Sequence, residues 1–247
     1  MDAFRHQRIP RNRSGRRQAA GGKRLATPKE SPRAKTAQRN KVEVFPIKHY
    51  IVGITGASGS IYGIRLIQEL VKRHHKVDVL LSKAARQVIR QELELDLSGT
   101  PEQQRRSLGQ MVGEGEDGLF LYEEDDWFSP VASGSSRRDG MIIIPCSMGT
   151  LSAVAVGASD TLLERAADVC LKEGRELILV PRETPYSTLH LRNMLTLSEM
   201  GVKILPASPA FYHQPHSVMD LVDFVVSRVL DQLDIPNDLI QRWEGKA

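Results

Sequence analysis

Four short segments carry residue types that can do chemistry together. Gly56-Ala57-Ser58-Gly59 follows an apolar run and precedes a helical pattern. Glycine there lets the backbone approach a ligand closely, and the amides of a helix start favour an anion such as phosphate. A tight glycine turn without a ligand is the plain alternative. The segment is not a P-loop, since no Gly-Lys-Ser/Thr follows. It is not the full dinucleotide fingerprint either: the second strand ends in Leu81-Ser82, not in the acid that holds a ribose hydroxyl. A mononucleotide fits better. Pro145-Cys146-Ser147-Met148-Gly149-Thr150 offers two hydroxyls at a second helix start, where Ser147 also suits an N-cap. Pro181-Arg182-Glu183-Thr184-Pro185 sets a cation and a carboxylate between prolines. Arg182 can hold a phosphate, and Glu183 can move a proton or form a structural ion pair. Pro209–Pro215 brings Tyr212, and Arg228 follows on the last helix as a second phosphate ligand.

Other residues read more plainly. Cys146 has no partnered histidine nearby in sequence and suits a buried small residue. Arg165 and Lys172 are seven apart in a helical stretch and so share one face, which by itself suits a solvated charged surface. His213 and His216 do not have a recognised ligand spacing, and no metal is expected.

These segments need a scaffold that gathers them. Tyr50–Ile54, Val77–Leu81, Met141–Ile144, Leu177–Val180 and Val202–Leu205 are short apolar runs suited to buried parallel strands. The third to fifth are each followed by a proline, which is expected to close them. Helical patterns alternate with them: Ile61–Val71, Ala84–Leu93, a patch near Pro101–Val112, Leu151–Ala158, Leu162–Leu171, Thr188–Met200 and Val218–Leu233. Residues 98–126 otherwise read as one long polar connection. The alternation implies an α/β fold, a Rossmann-like (flavodoxin-like) three-layer sandwich with a mainly parallel sheet. Ligands of such sheets sit beyond the carboxyl ends of the strands, where all four segments fall.

Charge divides the chain. Residues 1–41 hold thirteen Lys/Arg against two acids, and the remainder holds 21 against 28. The formal net charge of +4 is therefore a property of the first segment and gives no reason to expect nucleic-acid binding by the rest. Residues 1–41 lack hydrophobic periodicity and read as a disordered basic tail, with 42–247 as the folded domain. The tail partly matches an organelle presequence but lacks a convincing amphipathic helix. No apolar run approaches the ~20 residues of a membrane span. Two cysteines do not make a disulfide framework, so a reducing cytoplasmic setting is expected.

Taken in order, Gly53–Gly63, Leu81–Ala85, Ala132–Ser135, Ile144–Leu151, Glu164–Val169, Leu171–Glu173, Pro181–Pro185 and Ala210–Pro215 resemble the UbiX flavin prenyltransferases over roughly residues 48–245. The tail has no counterpart in that family core. The resemblance implies transfer of a dimethylallyl unit from dimethylallyl phosphate to N5 and C6 of reduced FMN, without a metal. The prenylated FMN would serve a UbiD-type decarboxylase. It also implies a homo-oligomer, typically a dodecamer. Residue by residue, Gly56, Ala57, Ser58, Ser82, Ser147, Met148, Gly149, Thr150 and Arg182 would bind FMN, with Ser58 near N5. Lys172, Tyr212 and Arg228 would receive the dimethylallyl phosphate, with Arg182 close by. Ser58, Glu92, Lys172 and Glu183 would be the catalytic set, Glu183 for proton transfer and Glu92 shaping the site. Arg165 would lie at a subunit contact, and Trp127 would add an aromatic wall. Two other readings compete: a flavin-dependent cysteine decarboxylase on a related fold, and an FMN- or nucleic-acid-binding protein without catalysis.

Overall fold

The structure is a computed structural model and describes residues 46–113, 118–243 and 245. The tail expected at 1–41 lies outside the described residues. Among them, six strands form one sheet: β1 (His49–Ile54), β2 (Lys76–Leu81), β3 (Leu119–Tyr122), β4 (Gly140–Cys146), β5 (Glu176–Pro181) and β6 (Lys203–Ile204). Their order is β3-β2-β1-β4-β5-β6, and every pairing is parallel. The helices are α1 (Ser60–Lys72), α2 (Lys83–Leu93), α3 (Pro101–Val112), α4 (Met148–Ala155), α5 (Leu162–Lys172), α6 (Thr188–Glu199) and α7 (Val218–Gln232).

Side-chain alternation along the strands sorts the helices into two layers. Tyr50, Val52, Ile54, Val77, Val79 and Leu81 pack with α1, α2, α3 and α7 in one core. Ile51, Leu80, Met141 and Ile143 pack with α4, α5 and α6 in another. Each fully buried aliphatic side chain stabilises this sandwich by about 1.5–3 kcal/mol. Strand direction reverses its crossover side at β1 and β4: α1 lies on one face, α4 and α5 on the other. Neighbouring strands whose helices leave to opposite faces open a crevice at their carboxyl ends. Gly63 lets α1 lie close to that junction, since a Cβ there would stand 2.5 Å from the carbonyl oxygen of Ile144.

Five expectations need correction. Leu119–Tyr122 is an edge strand inside the segment read as a connection; four residues with only alternate burial give a weak sequence signal. Pro145 does not close β4, which continues to Cys146 with a register irregularity between Ile143 and Cys146. Proline has no N–H for the ladder, and a bulge accommodates it. Pro181 likewise belongs to β5. Strand β6 has two residues where four were expected, and α4 begins at Met148, before the expected Leu151.

Candidate active site

The carboxyl ends of β1 and β4 are fastened together by one buried hydroxyl. Thr55 Oγ1 donates to the carbonyl of Pro145 at 2.8 Å and accepts from the amide of Ser147 at 2.7 Å. The Thr55 amide also donates to Pro145 O at 3.2 Å. Thr55 is 1% exposed, so losing its hydroxyl would leave buried polar groups unpaired. Its sequence signal is slight, a polar residue ending an apolar strand, and its stitching role was not legible there.

The two helix starts beside this stitch are finished differently. Gly59 precedes α1 in the left-handed region, φ 100°, and supplies no side-chain cap. The cap comes from α2: Glu92 accepts from the Gly59 amide at 3.0 Å, the Ser60 amide at 2.9 Å and the Ser60 hydroxyl at 2.7 Å. Burial alone would raise the Glu92 carboxyl. Hydrogen bonds from Ser58, Ser60 and the Gly59 and Ser60 amides outweigh it and hold the group below the ordinary carboxylate range. The first amides of α1, expected to await a phosphate, are thus already engaged by a carboxylate. At α4 the cap is neutral. Ser147 Oγ accepts from the Thr150 amide at 3.3 Å and lies 3.1 Å from Thr150 Oγ1. A Cβ on exposed Gly149 would meet nothing nearer than Ser147 Oγ at 3.9 Å, so this wall of the crevice is open.

The other residues expected to bind FMN lie at the neighbouring strand ends. Ser82 caps α2 by accepting from the Ala85 amide at 3.1 Å. A Cβ on Gly56 would come within 2.5 Å of the Ala84 Cβ, so the loop after β1 touches the first turn of α2 only because residue 56 has no side chain. Arg182 reaches back from the end of β5, its Nε donating to Ser58 O at 2.9 Å. Ser58 itself is exposed, while Ala57 and Met148 are buried and offer the crevice only backbone. Glu183 Oε1 accepts from the Thr184 amide at 3.0 Å. Tyr62 lies near enough to Arg182 to feel its charge, and Tyr186 near enough to feel Glu183; burial raises both phenols, with Arg182 opposing the rise at Tyr62 and Glu183 adding to it at Tyr186.

A second cluster forms beyond β6. Tyr212 stands edge-on to Phe224 at 6.0 Å and to Trp243 at 5.7 Å. Arg228, one turn after Phe224 on α7, pairs with Asp231 at 2.7 Å. His213 stacks on Phe224 at 5.5 Å, and the His216 backbone amide donates to Asp220. No cluster of three metal-ligating side chains occurs among the described residues.

Lys172 joins neither cluster. It ends α5 four residues before β5 begins, which puts it at the amino edge of the sheet, paired with Glu173. Six residues of β5 separate that edge from Arg182, roughly 20 Å of strand. Arg165 is half-buried, its Nε donating to Ala132 O at 3.1 Å and its guanidinium paired with Asp168 at 2.8 Å. Trp127 is exposed on the loop that follows β3. Cys146 and Cys170 are free and buried, as expected for packing residues; burial pushes the Cys146 thiol far up and that of Cys170 up to about 11.

A sequence profile of the Flavoprotein family matches residues 39–230. The chain is 52% identical over 192 residues to a flavin prenyltransferase UbiX of Pseudomonas aeruginosa, covering 78% of this chain and 92% of that protein. The chain belongs to the UbiX group of flavoproteins. Among solved structures, it resembles a dodecameric FMN-dependent UbiX-like decarboxylase from Escherichia coli O157:H7, with 43% identity, a TM-score of 0.70 and coverage of 80% and 100%. It also resembles AnUbiX (PadA1) in complex with FMN and dimethylallyl pyrophosphate, with 38% identity, a TM-score of 0.71 and coverage of 82% and 100%. The peptidyl-cysteine decarboxylase EpiD shares the fold alone, at 19% identity and a TM-score of 0.50. No helix among the described residues is long and apolar enough to cross a membrane.

Proposed function

We propose that this protein is a flavin prenyltransferase that joins a dimethylallyl group from dimethylallyl phosphate to reduced FMN. The observation that carries the reading is the switch-point crevice of a UbiX-group chain. Thr55 locks its two strands together, Arg182 is tied to the Ser58 carbonyl at 2.9 Å, and the α4 start stays open. The hydroxyls of Ser147 and Thr150, the open edge at Gly149 and the cation of Arg182 suit a flavin mononucleotide. Reduced FMN supplies the electron-rich N5 and C6 that take the dimethylallyl unit.

The residues divide the remaining work. The allylic C–O bond breaks with its electron pair on the leaving phosphate, which Arg182, Tyr212 and Arg228 receive and stabilise. The proton that N5 loses as its bond to the allylic carbon forms would pass through Glu183, beside Arg182, to the leaving phosphate. Ser58, exposed at the crevice, contacts the reacting edge of the flavin, and Glu92 fixes the loop that presents it. Lys172 enters from a second copy, because its own chain holds it at the opposite edge of the sheet. The protein therefore works as a homo-oligomer, and the UbiX-like dodecamer is the assembly we expect. Its product would serve a UbiD-type decarboxylase, in the cytoplasm, where two free thiols remain reduced.

Anaerobic incubation with reduced FMN and dimethylallyl monophosphate, followed by mass spectrometry of the released flavin, tests the reaction. A gain of one C5 prenyl unit is expected. Flavin that binds but stays unchanged overturns the proposal. The shared site has its own test: Lys172→Ala and Ser58→Ala are each expected to be inactive, and subunit exchange between them should restore part of the activity.

A further inference from the structure

We infer that Asp231 is a positioning residue that ties Arg228 to the C-terminal segment bearing Trp243 and so sets the shape of the donor end of the site. This rests on the function proposed above. Asp231 stands on the last turn of α7 with its side chain 17% exposed. Its Oδ2 accepts from Arg228 Nη1 at 2.7 Å and Arg242 Nη1 at 3.1 Å. Its Oδ1 accepts from Arg242 Nη2 at 2.7 Å and Asn237 Nδ2 at 3.1 Å. Two oxygens thus serve four donors, and the Arg242 contact has the parallel two-bond geometry that fixes orientation as well as distance.

The consequence follows from what surrounds this carboxylate. After α7 the described residues up to Trp243 form no helix or strand, so side-chain contacts must hold the segment. Ile235 and Leu239 pack on the core and Arg73 holds Pro236 O; Arg242 is the tie nearest the end, and Trp243 is the next residue. The Trp243 ring meets Tyr212 edge-on at 5.7 Å, and Tyr212 meets Phe224 at 6.0 Å. Phe224 lies one helical turn before Arg228, which returns to Asp231. The contacts close a ring: Asp231, Arg242, Trp243, Tyr212, Phe224, Arg228. One carboxylate therefore presets Tyr212 and Arg228, two of the proposed phosphate ligands, before the donor arrives, which lowers the ordering cost of binding. Asp231 touches neither reactant in this arrangement. Its loss should weaken ground state and transition state alike, raising KM and sparing kcat.

The test uses the full chain and two independent readouts. The Trp243 signal is taken as the difference in acrylamide quenching between each protein and its Trp243→Phe counterpart. Trp243 is already 67% exposed, so Asp231→Asn should increase its quenching by no more than about 1.5-fold, while KM for dimethylallyl monophosphate rises about tenfold with kcat and FMN affinity within about twofold. Arg242→Gln should reproduce both changes, the double variant should add nothing further, and Asp231→Glu should recover part. Unchanged quenching, an unmoved KM or additive effects in the double variant would each overturn the inference. Should Asp231→Asn fail to fold, Arg242→Gln at its half-exposed position carries the comparison. A wild-type protein that makes no prenylated flavin sinks the functional reading alone, and the quenching still decides whether Asp231 holds the segment.

Discussion

Helices α1 and α4 begin at the same crevice, from neighbouring strands, and are completed in opposite ways. α1 starts at a glycine and borrows a carboxylate, Glu92, from α2. α4 starts at a serine and caps itself with a neutral hydroxyl. Both solutions satisfy amides that a helix start leaves without partners. Only the second leaves the positive end of the helix uncompensated by charge. A phosphate approaching α1 meets an anion already in place, whereas at α4 it meets hydroxyls and an open edge. The same two helices differ in their glycines. Gly63 in α1 exists for packing, and Gly149 in α4 exists for space.

Substitutions at these positions break or sharpen the contrast. The largest effect is expected from Gly63→Ala, which would set a methyl 2.5 Å from a backbone oxygen and push α1 off the sheet. Overpacking of this kind costs about 2–3 kcal/mol, read as a fall in the denaturation midpoint. Next, Glu92→Ala should cost about 1 kcal/mol, at the low end for a charged cap because the carboxylate is exposed. It should also impair prenylation, since the Ser58 loop loses its anchor. Ser147→Ala removes a neutral cap for about the same 1 kcal/mol, but its FMN affinity should fall where that of Glu92→Ala holds. Equal loss of FMN affinity in the two would erase the distinction. Last, Gly149→Ala should leave stability within about 0.5 kcal/mol, with weakened FMN binding by fluorescence titration.

Acid tests the α1 end separately. The folded Glu92 carboxyl titrates below its ordinary value, so its stabilisation is fully present above the unfolded pKa. It fades as pH falls through the lowered folded value. Wild-type stability should therefore decline on acidification more steeply than that of Glu92→Gln, while Ser147→Ala should keep the wild-type slope. Parallel curves for wild type and Glu92→Gln would show that the carboxylate is not held as described.

Much of this protein was legible before folding. The apolar runs at β1, β2, β4 and β5 announced a parallel sheet because buried strands cannot hide their composition. The polar strand ends at Ser58, Ser147 and Arg182 pointed to the proposed site because such residues are poor packing material. The two-residue β6 and four-residue β3 were misread or missed, being too short to establish a period.

What the sequence determined by itself was the layered scaffold and a list of candidate reactive residues, since both depend on residue type and local spacing. Tertiary structure decided how they meet. It gave the α1 amides to Glu92, 32 residues away, and made Thr55 the stitch between two strands. It hung Arg228 and Trp243 on Asp231, and it set Lys172 at the far edge from the residues it was expected to join. None of these has a local signature. Each is a hydrogen bond or a separation fixed by which strand lies next to which, and a linear pattern carries no such distance.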